Sequence, residues 1–388
     1  MSIVFEPQAL LAEASTKSGG LTDFGPSSFR AGLDVFCRAL ESEARLSDLG
    51  RALLHQKVIE LLVNRLGMAD WIRRHPEIAD ERIEAPLVIV GLPRTGTTLL
   101  QRLLAQDPQF YSMPWWESRY PVPFPGEDLR EPAQRIAQAR AEVKVMVEAM
   151  PKLLTIHPMD ADQADEEVML MEHSFMAALN SYACIPSYVE WLNRVDERPA
   201  YDELKRMLQF LQWQKRQRGI TAARWVLKAP HHLLRMHILL ETFPGARVIQ
   251  THRDPVDTIP SIASFLDTLW RIYSNEVDPT AAGREWSALM ARAFKHTMSV
   301  RDANPAPFFD VRFEDTVKRP LDVVREIYAW AGYTLTAETE RAMQRWLDDN
   351  RRANRAAHEY DSEHFGLDVE QLKHDFAEYR RRYIERNH

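Results

Sequence analysis

The segment PLVIVGLPRTGTTLLQRLL, residues 86–104, decides the fold. Its apolar run LVIV predicts a buried strand at 87–90, and the leucine-rich stretch at its other end predicts a helix. Gly91 and Gly96 lie between the strand and the helix and are separated by four residues. This is the spacing of a loop that cradles phosphate with backbone N–H groups. The next residue is Thr97, where a nucleotide triphosphatase would carry lysine. The loop therefore predicts a phosphate-bearing ligand that does not need that lysine.

The loop also supplies side chains that suit an anion. Arg94 is a cation within the turn, and Thr97 and Thr98 place two hydroxyls at the start of the helix. The N-terminal amides of a helix and its dipole favour negative charge. We therefore expect an anion to bind between the turn and the helix.

Composition narrows the class of protein. The chain has 388 residues and a net charge of −7, which argues against nucleic acid as a partner. Cys37 and Cys184 are its two cysteines, so we expect no disulfide framework and a reducing, cytoplasmic location. The first residues lack the pattern of a signal peptide, and no run of about 18 apolar residues predicts a membrane span.

Strands and helices alternate along the chain, which predicts an α/β fold. We expect a P-loop-like parallel sheet of about four or five strands flanked by helices, with apolar runs at 87–90, 224–228, 246–251 and 307–313. The chain also has a helical pattern at each end.

The domain organisation follows from that pattern. Residues 1–82 are expected to form a helical N-terminal part packed on the core. Residues 83–388 are expected to form the α/β domain, with a largely helical insertion at about 112–220.

Two further strand ends carry cations. The segment THRDPVDTIPS predicts a strand, a turn and a helix, with Arg253 at the strand end and Ser261 eight residues later. The segment RWVLKAPHH ends its strand at Lys228 and predicts a helix that begins near His231. Because the carboxyl ends of parallel strands face one crevice, these side chains are expected near the loop.

These motifs together resemble the sulfotransferase superfamily, whose members use 3′-phosphoadenosine-5′-phosphosulfate (PAPS) as sulfuryl donor. GLPRTGTT resembles the 5′-phosphosulfate loop of tyrosylprotein sulfotransferases and many bacterial members, and RDPVDTIPS resembles the 3′-phosphate motif. LKAPHHL resembles the lysine-proline-histidine element of the bacterial branch. VRFEDTVKRPLDVVREIYAWAG resembles the strand, Glu-Asp turn and helix near the family's C-terminal half. The resemblance covers about residues 86–110 and 224–332. Phe313 departs from it, since relatives often have tyrosine there.

The resemblance implies a role for each site residue. Residues implied to bind PAPS are Pro93, Arg94, Thr95, Gly96, Thr97, Thr98, Arg253 and Ser261. Lys228 is implied to stabilise charge on the leaving oxygen, with Arg94 assisting, and no metal is required. A sulfuryl group carries less negative charge than a terminal phosphoryl group, which explains why the loop manages without its lysine.

Two residues are candidates for the base that takes the acceptor's proton. Glu117 lies in PWWESRY, where tyrosylprotein sulfotransferases place a glutamate, and the flanking tryptophans would raise its pKa by desolvation. His232, or its neighbour His231, follows Lys228 as in the bacterial branch, and histidine titrates near neutrality. We favour Glu117, because the helix N-terminus expected near His231 disfavours a protonated histidine.

The acceptor is not specified by these motifs. A hydroxyl, or an amine, of a small molecule, lipid or glycan is compatible with them, and the aromatic and Met-rich insertion suits an apolar alcohol. The alternatives are a P-loop kinase or NTPase that uses ATP and magnesium, and an inactive nucleotide-binding protein. The sequence does not define the oligomeric state.

Overall fold

The computed structural model describes residues 3–149, 159–350 and 362–385. One sheet has five parallel strands, which are β1 Leu87–Val90, β2 Phe110–Tyr111, β3 Arg224–Lys228, β4 Arg247–His252 and β5 Phe308–Arg312. Their spatial order is β2-β3-β1-β4-β5, so β1 lies in the centre with β3 and β4 on either side. The predicted α/β fold and its four apolar strands are confirmed, and β2 is an additional edge strand.

Helices cover both faces of the sheet. In the N-terminal part they are α1 Pro7–Lys17, α2 Phe29–Ser42 and α3 Asp48–Arg74. Helix α4 Thr97–Leu104 follows the loop at residues 91–96, called here the phosphate-type loop. The segment between β2 and β3 contains α5 Trp115–Arg119, α6 Ala133–Ala149, α7 Val168–Met171, α8 Pro186–Leu192 and α9 Arg198–Gln217.

The second half of the chain is also mainly helical. Its described helices are α10 Met236–Thr242, α11 Pro255–Tyr273, α12 Pro279–Ala303, α13 Phe313–Lys318, α14 Pro320–Ala331, α15 Ala337–Asp349, α16 Val369–Asp375 and α17 Ala377–Tyr383. The helix expected near His231 begins later, at Met236, because Pro230–Leu234 forms a 3-10 turn first.

Alternation along β1 builds two apolar layers. Val88 and Val90 pack into a core shared with the N-terminal helices, α9 and α11, whereas Leu87 and Ile89 pack against α4 and α14. Side chains of a strand point to opposite faces in turn, so a four-residue apolar run fills both layers. The N-terminal helices thus share a core with the sheet, while the domain boundary near residue 82 stays a prediction.

The strand register brings the cationic strand ends together. Ile89 of β1 is paired with Lys228 of β3, and Val90 is paired with Gln250 of β4. The carboxyl ends of the three central strands therefore lie side by side, which is where open α/β sheets bind ligands.

Helix α3 approaches α11 through a glycine. A Cβ atom on Gly50 would lie 1.8 Å from the backbone oxygen of Tyr273, which also accepts a hydrogen bond from the Ser47 backbone N–H. Alanine would gain about 1 kcal/mol in helix propensity. The overlap with backbone atoms costs about 3 kcal/mol or more, so the glycine is required for this contact.

We predict that Gly50→Ala lowers the free energy of unfolding by at least about 2 kcal/mol, because the clash outweighs the propensity gain. Chemical denaturation measures this change. Leu49→Ala is the matched control, since Leu49 precedes Gly50 and is 65% exposed, and it should change stability by less than about 0.5 kcal/mol. Equal stability of Gly50→Ala and wild type would contradict the tight contact.

Candidate active site

The loop between β1 and α4 runs close against β4. A Cβ atom on Gly91 would lie 2.1 Å from the Thr251 hydroxyl oxygen, so only glycine fits there. Gly96 has a φ of +85° and Arg94 a φ of +73°, a conformation that costs a non-glycine residue of order 1–3 kcal/mol. Such strain at a turn is typical of a functional loop.

The Thr95 hydroxyl holds the loop rather than facing outward. It donates to the Leu92 carbonyl at 2.6 Å and lies 2.6 Å from the Thr251 hydroxyl oxygen. Pro93, Arg94, Gly96, Thr97 and Thr98 line a large cavity beside the loop. The Thr95 side chain thus serves the contact between the loop and β4.

Arg253 and Ser261 line the same cavity as the loop. Arg253 donates from its guanidinium to the Arg94 carbonyl at 3.2 Å and lies over the Phe313 ring, with its Cζ 4.4 Å from the ring centre. Phe313 offers no hydroxyl, but its ring orients the guanidinium through a cation–π contact. The two motifs expected to bind the two ends of one nucleotide therefore meet at a single cavity.

Lys228 is a fully buried cation at the end of β3. Its ammonium is paired with Glu166, whose side chain lines the cavity, and its backbone N–H donates to the Glu167 carboxylate at 2.7 Å. A buried charge needs such a partner. The strand register places Lys228 at the carboxyl edge of the sheet, but among the described residues it does not itself line the cavity, which it reaches only through Glu166.

His232 is held inside the protein. It is fully buried, with Nε2 2.7 Å from Glu167 and Nδ1 3.0 Å from the Tyr201 hydroxyl. His231 does line the cavity, and its Nε2 lies 3.0 Å from Glu197. Both ring nitrogens of His232 are therefore engaged within the fold, and its neighbour is the histidine that faces the cavity.

Glu117 also has a structural environment. Its side chain is 1% exposed and pairs with Lys215 at 2.6 Å and with Arg218. Burial raises the pKa of Glu117, but the two cations outweigh that effect and hold the pKa below its ordinary value. Among the described residues, those that line the cavity do not include Glu117. The structure thus brings neither Glu117 nor His232 to the cavity wall.

The cavity has a volume of about 1450 Å³. Ligand pockets usually have about 300–1,000 Å³, so this cavity has room for a nucleotide and a second molecule. Its wall beyond the loop is mainly apolar and includes Leu192, Phe265, Leu269, Ile272, Leu289 and Met290. Part of that wall comes from the insertion and part from α11 and α12.

Acidic residues of the insertion were missed in the sequence. Glu166, Glu172 and Glu197 all line the cavity, and Glu167 contacts the backbone of Lys228. The available signal was the run DEE at 165–167, three acidic residues directly before an apolar stretch. Its partner Lys228 is 62 residues away, so the pairing does not appear in any local pattern.

Within residues 3–149, 159–350 and 362–385, no helix has the length and apolar character needed to cross a membrane. In the same ranges, no group of three or more His, Cys, Asp or Glu side chains is arranged to hold a metal ion.

Comparison with known proteins gives consistent matches. The model of a family described as "Sulfotransferase family" matches residues 86–338. Relatives from Mycobacterium bovis and Mycobacterium tuberculosis, both named omega-hydroxy-beta-dihydromenaquinone-9 sulfotransferase Stf3, are 27% identical over 260 residues. That match spans 64% of this chain and 63% of the length of each relative.

Solved structures are similar over nearly the whole chain. Sulfotransferase STF1 from Mycobacterium tuberculosis is 30% identical, with a TM-score of 0.84 over 97% of this chain and 100% of that chain. Sulfotransferase STF9 from Mycobacterium avium is 28% identical, with a TM-score of 0.89 over 100% of this chain and 98% of that one.

We predict that Glu117→Gln destabilises the fold by about 3–5 kcal/mol, because it leaves Lys215 and Arg218 buried without a counter-charge. Because the pKa of Glu117 is lowered on folding, the stabilisation is complete above the unfolded pKa of about 4.3 and is lost as the pH falls below it. Urea denaturation at pH 7 and at lower pH measures both effects. Glu148→Gln, at an exposed position, is the control. If Glu117→Gln left the stability unchanged but abolished turnover, that result would support a catalytic role for Glu117 instead.

Proposed function

Because this chain belongs to the sulfotransferase family, we propose that it transfers a sulfuryl group from PAPS to the hydroxyl of a lipid-like alcohol. One observation carries the proposal. The phosphate-type loop and the pair Arg253 and Ser261 line one wall of a cavity whose remaining wall is mainly apolar. A polar nucleotide end and an apolar acceptor end therefore share one chamber.

The donor end fits the 5′-phosphosulfate group. Gly91 lets the backbone approach Thr251 closely, and the left-handed Arg94 and Gly96 present successive amides at the N-terminus of α4. These donors and the Thr97 and Thr98 hydroxyls bind an anion without a metal ion.

The second phosphate distinguishes PAPS from ATP. Arg253 forms charge-assisted hydrogen bonds with a 3′-phosphate, and Ser261 lies two turns into α11 on the same cavity wall. The arginine is held in place by Phe313 and by the Arg94 carbonyl, so little side-chain entropy is lost on binding.

Lys228 serves the chemical step. Its ammonium stabilises the negative charge that develops on the oxygen between the donor's phosphorus and sulfur. Because Lys228 is buried and its partner Glu166 lines the cavity, this role requires the ammonium to reach the donor beside that carboxylate.

The acceptor class follows from the size and polarity of the cavity. The apolar share of this wall favours a long or multi-ring alcohol, whose carbon skeleton would be buried against it. The relatives named as sulfotransferases of an omega-hydroxy-dihydromenaquinone support a lipid alcohol for this chain. The family match argues against the alternative of a P-loop kinase.

We predict that 3′-phosphoadenosine 5′-phosphate (PAP) raises the melting temperature more than ATP with magnesium does, because it offers Arg253 a 3′-phosphate. At 100 times the dissociation constant, a ligand adds about 2.7 kcal/mol of stability. Arg253→Ala should remove the preference for PAP. A thermal-shift titration with both nucleotides measures it.

Arg271→Ala is the matched control, because Arg271 lies near the other end of α11 and pairs with Asp267. It should keep the preference of the wild type. Stronger protection by ATP with magnesium than by PAP would contradict the proposed donor.

We also predict that long-chain prenyl or fatty alcohols are sulfated at least about tenfold faster, in kcat/KM, than sugars or tyrosine peptides. Labelled PAPS and a panel of acceptors measure this. Leu269→Asp places a charge in the apolar wall, so the kcat/KM for long-chain alcohols should fall about tenfold or more. Thr268→Asp, one residue earlier on α11, is the control and should have little effect. A preference for sugars would contradict the lipid acceptor.

A further inference from the structure

Glu166 lies on the cavity wall and is paired with the buried ammonium of Lys228. Its side chain is 21% exposed, while the Lys228 side chain that it contacts is 1% exposed. We propose that Glu166 is the general base that takes the proton of the acceptor hydroxyl. The inference rests on the proposed sulfuryl transfer and assigns a residue for its proton-transfer step.

The backbone that carries Glu166 is anchored to the phosphate-type loop. Gln101, on the helix that follows the loop, donates through its side-chain amide to the Asp165 carbonyl at 2.9 Å. The Glu166 backbone N–H donates to the Asp165 carboxylate at 2.7 Å. The base is thus connected to the donor-binding helix through one residue, which fixes its position relative to the loop.

A second anchor comes from β3. Glu167 accepts the Lys228 backbone N–H at 2.7 Å with one oxygen and contacts His232 Nε2 at 2.7 Å with the other. Its side chain is 1% exposed, so both contacts are shielded from water. Adjacent glutamates therefore divide two tasks: Glu167 fixes the strand end, and Glu166 faces the cavity beside the ammonium.

The other glutamates of the cavity wall have different partners. Among the described residues there are four of them, and each pairs with a cation other than Lys228. The pairs are Glu60 and Glu142 with Arg119, Glu172 with Lys57, and Glu197 with Arg235. Glu166 is the one whose partner is the lysine expected at the leaving oxygen.

The step balances with these two side chains. As the acceptor oxygen forms its bond to sulfur, its proton passes to a Glu166 carboxylate oxygen. The bond between sulfur and the bridging oxygen breaks, and its electron pair remains on the phosphate of PAP. Lys228 has three N–H donors, so it can contact that oxygen and Glu166 together. The proton then leaves Glu166 for water.

The central test is Glu166→Gln in the full-length chain, which keeps the shape of the side chain and removes its basicity. We expect kcat with PAPS and a long-chain alcohol to fall by at least about 100-fold, the usual contribution of a general base. The dissociation constant of PAP should change less than about threefold. A loss confined to kcat distinguishes a base from a residue that only holds Lys228 in place for donor binding.

Two further variants cover the case in which Glu166→Gln folds poorly. Glu166→Asp retains a carboxylate and should keep measurable turnover. Glu166→Ala should be inactive in buffer and regain activity when formate is added, because formate supplies a carboxylate to the vacated space. Glu190→Gln, at an exposed position, is the control for the substitution itself.

The outcomes separate this assignment from the proposed function. Wild-type protein without turnover on any alcohol would overturn the proposed function, and the role of Glu166 with it. Turnover in wild type with a Glu166→Gln kcat within about threefold would overturn only the role of Glu166. The same conclusion follows if Glu166→Asp is as inactive as Glu166→Ala and formate restores neither.

Discussion

The contact between Gly91 and Thr251 sets the geometry on which the site depends. The chain leaves the central strand and touches its neighbour at a distance that no side chain at Gly91 would permit. The Thr95 hydroxyl also contacts the Thr251 hydroxyl, so the loop is held against β4 without a ligand. Since Arg253 follows β4 directly, this one approach fixes the loop and the second cation relative to each other. Binding groups fixed in this way lose little entropy when the ligand binds.

Charge pairs, buried at Glu117 and partly exposed at Arg119, connect helices around the cavity. The short helix α5 contains Glu117, whose pairs with Lys215 and Arg218 connect it to the end of α9, and Arg119, which pairs with Glu60 of α3 and Glu142 of α6. Buried pairs add little net stability compared with well-packed apolar residues, but removing one partner is costly. They therefore specify how the helices of the insertion are arranged around the cavity. The apolar side chains between them provide most of the burial.

The sequence predicts the sheet well because apolar runs and loop motifs are local. The four longer strands and the cations at their ends follow from patterns within a few residues. Strand β2 is not predicted, because a run of two residues is too short to show the periodicity of a strand. The tryptophans beside Glu117 correctly indicate burial, but the cations that lower its pKa lie about 100 residues later in the chain. Glu166 is missed for the same reason, since its pairing with Lys228 exists only once the insertion has folded over the strand ends.

The hydrogen bond from Arg253 to the Arg94 carbonyl has a consequence for how the nucleotide is recognised. Arg94 has a strained backbone, and its carbonyl is held by the side chain expected to bind the far phosphate. The two segments expected to bind the ends of the donor are therefore connected directly. A fragment that reaches one end alone makes only part of the contacts that a whole nucleotide could make with both. An inorganic anion, or a nucleotide without its 3′-phosphate, would meet only one of these two segments.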